Sequence, residues 1–245
     1  MTAERPVATE PTPTSSGQQP PVFVQAVGLG LDPAWRRLPA AERAADGRAM
    51  CEAERLTDAT DVRTLSFSSV GLEPGVDLVL LRLAPSMDLL EEAGARLLRS
   101  GLGRWLTVRH SILGRIVPTQ YATKPTDQER SLLDGQPRRY LIAYPFTKAT
   151  EWYLLGREAR QGVMNEHMRV GRGYPGVRQL LGSSFGMDDG DFLVAYDTDD
   201  LAVFGDLVRE LRGTESRRST VNDAPILLGL RRTIPEFVEL VGGDQ

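Results

Sequence analysis

The stretch Val76-Asp-Leu-Val-Leu-Leu-Arg-Leu83-Ala-Pro-Ser86-Met-Asp-Leu-Leu-Glu-Glu-Ala-Gly-Ala-Arg-Leu-Leu98 decides the fold class. Its first eight residues are mostly apolar and predict a strand. Ser86 can cap a helix because its hydroxyl can accept from the free backbone N–H groups of the first turn. One face of that helix is apolar, formed by Leu89, Leu90, Ala93, Leu97 and Leu98. Gly101 ends the helix, and residues 106–117 predict the next strand.

The residues before this stretch complete a pattern of six elements. Val22–Val27 is rich in β-forming side chains and predicts the first strand. Asp32 then opens a helical stretch to about Arg55, which Pro39 breaks into two pieces. Residues 62–70 alternate imperfectly between apolar and polar and predict another strand. The first half therefore has the order β-α-β-β-α-β.

The second half repeats this order. The predicted elements are a strand over 140–145, a helix over 152–170, strands over 177–184 and 191–197, a helix over 201–211 that Asp199 or Asp200 caps, and a strand over 225–230. We predict an α+β fold of two tandem ferredoxin-like halves, residues 21–125 and 126–245, forming a dimeric α/β-barrel-like unit. The two sheets should face each other or merge. Such a fold supports many functions and does not identify the chemistry.

Composition indicates an ordinary soluble chain with a polar N-terminal segment. The 245 residues are 41% hydrophobic and 25% charged, with a net charge of -4 that gives no general attraction to nucleic acid or anionic membranes. Cys51 is the only cysteine, which excludes an intramolecular disulfide and a thiolate zinc cluster. We find no apolar run of membrane-helix length and no secretory signal pattern, so we expect a cytoplasmic protein. Residues 1–20 are rich in Pro, Thr, Ser and Gln and are predicted to be a disordered tail.

Three short motifs have simple structural explanations. Gly171-Arg-Gly173-Tyr-Pro-Gly176 matches a dinucleotide fingerprint but follows a helix and precedes a strand, the reverse of what that site needs. Ser183 and Ser184 lack the glycine pattern of a hydrolase nucleophile. Asp188, Asp189 and Asp191 lack the other ligands of a calcium loop and predict a hairpin turn.

The two histidines are the remaining candidates for chemistry. His110 lies in a predicted strand, where a surface or packing role is the simpler interpretation. His167 lies near the end of a predicted helix, next to Met164 and one turn after Val163, so it shares the inward face. A helix histidine at an apolar seam can be an axial haem ligand or a core residue, and its position alone does not separate the two.

The spacing of residues around His167 resembles the chlorite dismutase superfamily, in particular its coproheme decarboxylase branch. The resemblance covers residues 21–241 and is densest over 140–230. It is carried by Tyr144-Pro-Phe-Thr-Lys148-Ala-Thr-Glu-Trp152-Tyr153, Arg160, Met164-Asn-Glu-His167, Gly171-Arg-Gly-Tyr174, Val177-Arg-Gln179, Gly186-Met-Asp188-Asp189, Leu31-Asp-Pro-Ala-Trp35-Arg-Arg-Leu38 and Leu211-Arg212-Gly-Thr-Glu215-Ser-Arg217.

The resemblance implies a role for each of four residues. His167 would be the proximal ligand of haem iron, Trp152 and Lys148 would lie beside the porphyrin, and Tyr144 would be a radical relay. The implied reaction uses hydrogen peroxide to oxidise coproheme, which is both substrate and redox centre, and two of its four propionates become vinyl groups to give haem b. Lys148 would pair with a reacting carboxylate or manage its proton.

Other matched positions concern the distal side and the propionates. Gln179 stands where chlorite dismutases place an arginine over the iron, which disfavours chlorite breakdown. Arg178 cannot replace it, because consecutive strand residues point to opposite faces. Arg130 and Arg217 match propionate-binding positions. Glu215 is either a partner of the His167 ring or a surface acid, and we favour the second.

Three functions stay open at this point. The resemblance favours a peroxide-dependent coproheme decarboxylase, with a chlorite dismutase-like enzyme or weak peroxidase, or a non-catalytic haem-binding module, as alternatives. It further implies a homopentamer, a supply of coproheme from a ferrochelatase with which contact would be transient, no nucleic-acid partner and no membrane span.

Overall fold

The computed structural model describes residues 21–117, 121 and 135–243, and it has a mixed α+β fold. Within these ranges the strands are β1 (Val22–Leu31), β2 (Arg63–Glu73), β3 (Val76–Ala84), β4 (Leu106–Ile116), β5 (Tyr140–Lys148), β6 (Val177–Ser183), β7 (Phe192–Thr198), β8 (Thr220–Asn222) and β9 (Leu227–Arg231). The α-helices are α1 (Ala40–Asp58), α2 (Met87–Arg99), α3 (Thr150–Leu154), α4 (Arg157–Arg172), α5 (Leu201–Arg212) and α6 (Ile234–Val241). Short 3₁₀ helices cover Pro33–Arg37, Leu102–Trp105 and Glu215–Ser219.

Eight of the strands close into one antiparallel barrel. Their order around the ring is β7-β6-β4-β1-β3-β2-β9-β5, β5 pairs with β7 to complete it, and the short β8 extends the end of β5. Each half of the chain supplies four neighbouring strands, β4-β1-β3-β2 and β6-β7-β5-β9. The two sheets therefore merge into a single barrel within one chain.

The two halves meet along two short seams, where β2 pairs with β9 and β4 pairs with β6. Glycine suits both seams because a neighbouring side chain occupies the space that a Cβ would take. A Cβ added to Gly229 of β9 would lie 2.6 Å from the Cβ of Phe67, and one added to Gly182 of β6 would lie 2.7 Å from Val24.

The inside of the barrel is one apolar core shared by both halves. Phe67 and Val79 of the first half pack there with Leu141 and Leu193 of the second, and all four are buried. Burying apolar surface is the main stabilising contribution to folding, so each half depends on the other for its core. The predicted boundary near residue 125 lies outside the described residues.

Helices cover the outer faces of the barrel. Trp35, Met50 of α1 and Phe237 of α6 are fully buried against the first-half sheet. α4 and α5 pack on the second-half sheet, where Val170 and Leu207 are buried. Among the described residues, none of the helices combines the length and the apolar character that a bilayer crossing needs.

Most predicted elements are confirmed, with differences at the ends of elements. Ser86 and Asp200 do cap α2 and α5 through their side-chain oxygens. The helix predicted over 152–170 is wrong in one respect, because α3 ends before Gly156 and α4 begins after it. β5 continues past the predicted end at Pro145 as far as Lys148.

The last helix, α6, is absent from the prediction. Thr233 and Glu236 form a capping box at its start, with Pro235 in the first turn, and these are recognisable sequence signals. Two other predictions, the disordered tail over 1–20 and the role of Arg130, concern residues outside the described ranges.

Candidate functional site

The candidate site lies on the outer face of the second-half sheet, beneath α4 and α5. Side chains alternate between the two faces of a strand, so Tyr144 of β5, Gln179 of β6 and Tyr196 of β7 share this face. Tyr144 and Tyr196 pack in an apolar cluster with Val170 of α4 and Leu207 of α5. The sheet, two helices and the turn after α5 therefore converge on one region.

His167 projects from α4 into this region. Its Nδ1 lies 3.2 Å from the hydroxyl oxygen of Ser216. Burial, and then the positive charge of Lys148, lower the pKa of His167 from 6.5 to about 4. The ring is therefore neutral at physiological pH, which is the form that ligates a metal. With Nδ1 held by Ser216, Nε2 is the nitrogen left for a ligand.

Ser216 is held in place by its own neighbours. It is buried, and its hydroxyl lies 2.9 Å from that of Thr214, which donates to the carbonyl oxygen of Leu211 at 2.7 Å. A hydroxyl fixed in this way can orient the His167 ring. The role of Ser216 could not be predicted, since its contact with the ring spans 49 positions along the chain.

Glu215 does not contact the imidazole ring of His167. Its side chain is exposed and forms an ion pair with Arg218 at 3.4 Å, while its backbone N–H donates to Glu166. The structure therefore agrees with the surface role that we favoured for Glu215, and it gives the position beside the ring to the neighbouring Ser216.

Lys148 is a buried ammonium at the end of β5. Its Nζ donates to the carbonyl oxygen of Ser216 at 3.1 Å and lies 4.5 Å from the ring centre of Trp152, which is itself buried. Burial, and then the charge of Arg217, lower the pKa of Lys148 to about 8. A lysine in this state carries a positive charge at neutral pH and releases its proton far more readily than an exposed lysine.

Tyr144 lies between aromatic and charged groups. Burial raises its pKa, and a hydrogen bond with Tyr196 acts in the opposite direction. The two rings are 6.1 Å apart between centres. The charges of Asp223, Arg212 and Arg217 also influence the phenol. Tyr196, Arg212 and Asp223 had not been predicted to belong to the site.

Arg217 lies near both predicted catalytic side chains. It donates to Asp223 at 3.0 Å and is partly exposed, and its charge lowers the pKa of Lys148 and Tyr144. The short 3₁₀ helix Glu215–Ser219 carries it, in the same turn as Ser216. Arg130, the other predicted arginine, is outside the described residues.

Gln179 and Arg178 point to opposite faces of β6, as the alternation predicted. Arg178 is buried in an ion pair with Asp197, donating from Nε at 2.7 Å and also from Nη2, and it donates to the carbonyl oxygen of Gln136 at 2.7 Å. Gln179 is half-buried on the same face as Tyr196, its partner in β7. The guanidinium of Arg178 therefore lies on the other side of the sheet, where it is bound to Asp197.

These residues fit an iron porphyrin better than a metal ion held by protein alone. In the part of the chain that the structure describes, no three His, Cys, Asp or Glu side chains gather into a metal site. A porphyrin supplies four nitrogens itself and needs only one axial ligand such as His167. The buried ring of Trp152 and the cations Lys148 and Arg217 suit its flat apolar body and its carboxylates.

These observations define a closed α+β barrel that carries a half-buried imidazole on its outer face. The family model described as chlorite dismutase matches residues 40–232. This chain belongs to the chlorite dismutase family.

Individual relatives agree with this membership. The chain is 31% identical over 139 residues to a coproheme decarboxylase of Mycolicibacterium smegmatis, covering 53% of this chain and 60% of that protein. It is 32% identical over 164 residues to a coproheme decarboxylase of Thermus thermophilus, covering 62% and 66%. The matches thus span less than two thirds of either relative's length. A mutant chlorite dismutase from Candidatus Nitrospira defluvii superposes with a TM-score of 0.82 at 26% identity, covering 90% of this chain and 95% of that one.

Proposed function

We propose that this protein catalyses the hydrogen-peroxide-dependent oxidative decarboxylation of coproheme to haem b. The observation that carries the proposal is a set of cations near the two central side chains. Arg212 and Arg217 act on the phenol of Tyr144, and Lys148 acts on the neutral ring of His167. A substrate with four propionates needs cations at its rim and one axial ligand for its iron. The relatives named coproheme decarboxylase support the same function.

The reaction balances with peroxide as the only oxidant. One propionate, CH2–CH2–COO⁻, together with H2O2 and a proton gives CH=CH2, CO2 and two molecules of water. The bond to the carboxylate carbon and one Cβ–H bond break, and a carbon–carbon double bond forms. The two electrons released by the propionate reduce the O–O bond of peroxide. The same conversion of a second propionate completes haem b.

The bound iron porphyrin supplies the redox chemistry with peroxide, and the protein supplies the ligand, the relay and the charges. His167 would hold the iron through Nε2, with its ring oriented by Ser216. Tyr144 would give up an electron together with its hydroxyl proton and then take a hydrogen atom from the propionate Cβ. Its raised pKa suits this role, because the phenol keeps its proton until that step.

Lys148 and Arg217 would bind the carboxylates of the substrate. The ammonium of Lys148 is fixed over Trp152, and its lowered pKa allows it to pair with a reacting propionate and to exchange a proton at Nζ. Arg217 presents a guanidinium, which can bind a carboxylate through two N–H groups. We assign Arg130 to a second propionate on the family resemblance alone.

Gln179 separates this function from chlorite breakdown. An amide on the distal side can donate one hydrogen bond but carries no charge to hold an oxyanion, and Arg178 is bound to Asp197 on the other face. The similarity to a chlorite dismutase structure keeps that activity as the second candidate. Oxygen release from chlorite well above the rate of free haem would favour it, and tight haem binding without turnover would favour a binding module.

The decisive experiment follows the mass of the porphyrin. Purified protein is mixed with iron coproporphyrin III and titrated with hydrogen peroxide, and each step should remove the mass of CO2 and two hydrogen atoms. Tyr144→Phe should abolish the conversion while porphyrin binding stays within about twofold. Tyr140→Phe is the matched control, because Tyr140 lies on the same strand and in the same apolar cluster. A coproheme mass that never changes with the unmodified protein would refute the proposal.

The remaining features of the proposal concern fold, assembly and location. We propose that the halves are tandem ferredoxin-like repeats, which is supported by their common strand order, fourth-first-third-second in each half. We further propose a homopentamer in the cytoplasm that receives coproheme by transient contact with a ferrochelatase. Light scattering of the purified protein tests the number of subunits, and co-purification tests the contact.

A further inference from the structure

The turn between β6 and β7 contains a carboxylate that the proposed chemistry does not use. Asp191 is the last residue before β7, and the sequence predicts only a hairpin turn there. An aspartate in a turn commonly bonds to that turn, as the Oδ1 atom of Asp188 does with the N–H of Asp189 at 2.8 Å. The side chain of Asp191 bonds instead to β5 and to α3, at residues 43 and 38 positions earlier in the chain.

One oxygen atom of Asp191 accepts both hydrogen bonds. Its Oδ2 accepts from the backbone N–H of Lys148 at 2.7 Å and from the hydroxyl of Tyr153 at 2.7 Å. Hydrogen bonds to a carboxylate are shorter and stronger than those between neutral groups. The ring of Tyr153 also packs edge-on against Phe185 of the same turn, with 5.7 Å between the ring centres. The turn therefore holds α3 by a hydrogen bond and by an aromatic contact.

The backbone N–H of Lys148 lies beyond the regular pairing of β5 with β7. That pairing ends at Phe146 and Phe192, two residues before Lys148, and β5 then pairs irregularly with β8. A buried backbone N–H without an acceptor is unfavourable, and the carboxylate of Asp191 supplies the acceptor. Asp191 is itself fixed, since its backbone N–H donates to Phe146 at 3.1 Å and its carbonyl oxygen accepts from Ser184 at 2.8 Å. The side chain of Asp191 thus continues the work of the sheet where β5 enters the site.

The two residues bound by Asp191 carry, or adjoin, the pair that faces the proposed substrate. Lys148 provides the ammonium, and Tyr153 follows Trp152 directly in α3, where the indole ring centre lies 4.5 Å from Nζ of Lys148. Helix α3 has only five residues and no side-chain cap at its start, so its contacts with the rest of the protein must hold it in place. Asp191 therefore connects the strand of the ammonium to the helix of the indole.

We propose that Asp191 is a positioning residue, which holds the ammonium of Lys148 against Trp152 in the place where it binds a propionate of the substrate. It acts through the two hydrogen bonds that Oδ2 accepts and does not itself touch the substrate. This assignment rests on the proposed function, in which Lys148 pairs with a carboxylate of the porphyrin. A small displacement of the ammonium would weaken that pairing, because the strength of a hydrogen bond depends steeply on distance and angle.

The first test measures the affinity of the full-length protein for iron coproporphyrin III by Soret titration. Asp191→Ala should weaken binding about fivefold, the effect of one hydrogen bond lost between the ammonium and a carboxylate. Asp191→Asn keeps an oxygen that can accept from both donors, so its affinity should stay within about twofold. Asp189→Ala removes an exposed carboxylate from the same turn and is the matched control, with the affinity of the unmodified protein.

A double-mutant cycle shows whether Asp191 acts through Lys148. Lys148→Met removes the ammonium and keeps an unbranched side chain of similar length. In that background Asp191→Ala should weaken binding no further, because the group that it positions is already absent. A purely structural role would weaken binding by the same factor in both backgrounds. Equal factors, or an Asp191→Asn protein that binds as weakly as Asp191→Ala, would overturn the proposal.

Hydrogen exchange of the porphyrin-free protein separates this inference from the proposed function. Asp191→Ala should speed deuterium uptake at the N–H of Lys148 and along α3 about fivefold, whereas Asp191→Asn should not. If Asp191→Ala does not fold, Tyr153→Phe takes its place in every measurement, because it removes one of the two hydrogen bonds. Unchanged exchange would overturn the positioning role. Faster exchange in a protein that never converts coproheme would uphold that role and refute the proposed function alone.

Discussion

Replacing His167 by glutamine tests whether the imidazole of the proposed iron ligand is uncharged in the porphyrin-free protein. In the folded chain the pKa of His167 is lowered to about 4, first by burial and then by Lys148. In the unfolded chain the pKa returns to about 6.5. Between these two values the unfolded chain holds a proton that the folded chain lacks. Acid therefore favours unfolding, and this part of the stability is lost as the pH falls from about 6.5 to about 4.

The size of the effect follows from the gap between the two pKa values. A difference from 6.5 to about 4 corresponds to at most roughly 3 kcal/mol of unfolding free energy, and solvent around a half-buried ring reduces it. Urea unfolding of the porphyrin-free protein, measured at several pH values across this window, gives the slope of the unfolding free energy against pH. His167→Gln should remove that contribution, so its stability should fall less on acidification than that of the unmodified protein.

The other histidine supplies the control. His110→Gln makes the same substitution on β4 and serves as the matched control for the loss of an imidazole. Carboxylates also titrate in this range, but they are common to all three proteins and cancel when the curves are subtracted. Parallel stability curves for the unmodified protein and His167→Gln between pH 6.5 and 4 would show that the ring is not held neutral by its surroundings.

Three further predictions concern the residues that support the site and the fold. Ser216→Ala should weaken haem b binding about two- to tenfold in a Soret titration, because it removes one hydrogen bond to the imidazole. Arg178→Met should destabilise the protein by about 3–5 kcal/mol in urea unfolding, since it leaves the buried carboxylate of Asp197 without its cation. Phe237→Ala should cost about 3–5 kcal/mol in the same assay, because the ring is fully buried.

Each of these changes has a nearby control. Ser219→Ala alters a serine in the same 3₁₀ helix as Ser216 and should leave haem binding unchanged. Arg178→Met combined with Asp197→Leu should recover stability relative to the single change, because no buried charge then remains alone. Leu240→Ala, at an exposed position of α6, should change stability by less than about 0.5 kcal/mol. If a substitution and its control changed haem affinity or unfolding free energy equally, the role assigned to the substituted residue would be wrong.

Local sequence patterns were sufficient to predict the order of the elements. The strand over Val76–Leu83 and the helix that Ser86 caps depend on neighbours within a few residues, and both appear in the structure. The break at Gly156 and the helix after Thr233 were missed, although glycine and a capping box are local signals. Local patterns do not decide whether the two sheets merge, because merging depends on contacts between distant strands, such as that of β2 with β9.

In the candidate site, too, some residues could be predicted from the sequence, and others are placed only by contacts between distant parts of the chain. The family pattern suggested Tyr144, Lys148 and His167, and the structure brings all three to one region. The position of Ser216 could not be deduced, because a serine after a helix has many possible partners and only the folded chain places it beside the imidazole. The sequence predicts only that Tyr196 lies in a strand, and the pairing of β5 with β7 is what brings it next to Tyr144.

The turn Glu215–Ser219 connects the groups on which the proposed chemistry depends. The hydroxyl of Ser216 contacts the ring of His167, and its carbonyl oxygen accepts from Lys148. The next residue, Arg217, acts on the pKa of both Lys148 and Tyr144. The proposed metal ligand lies on α4, and the ammonium and the phenol both lie on β5, yet all three are positioned or charged by the same few residues. A displacement of this turn would therefore disturb ligand orientation and propionate binding together, whereas a displacement of α4 alone would disturb only the ligand.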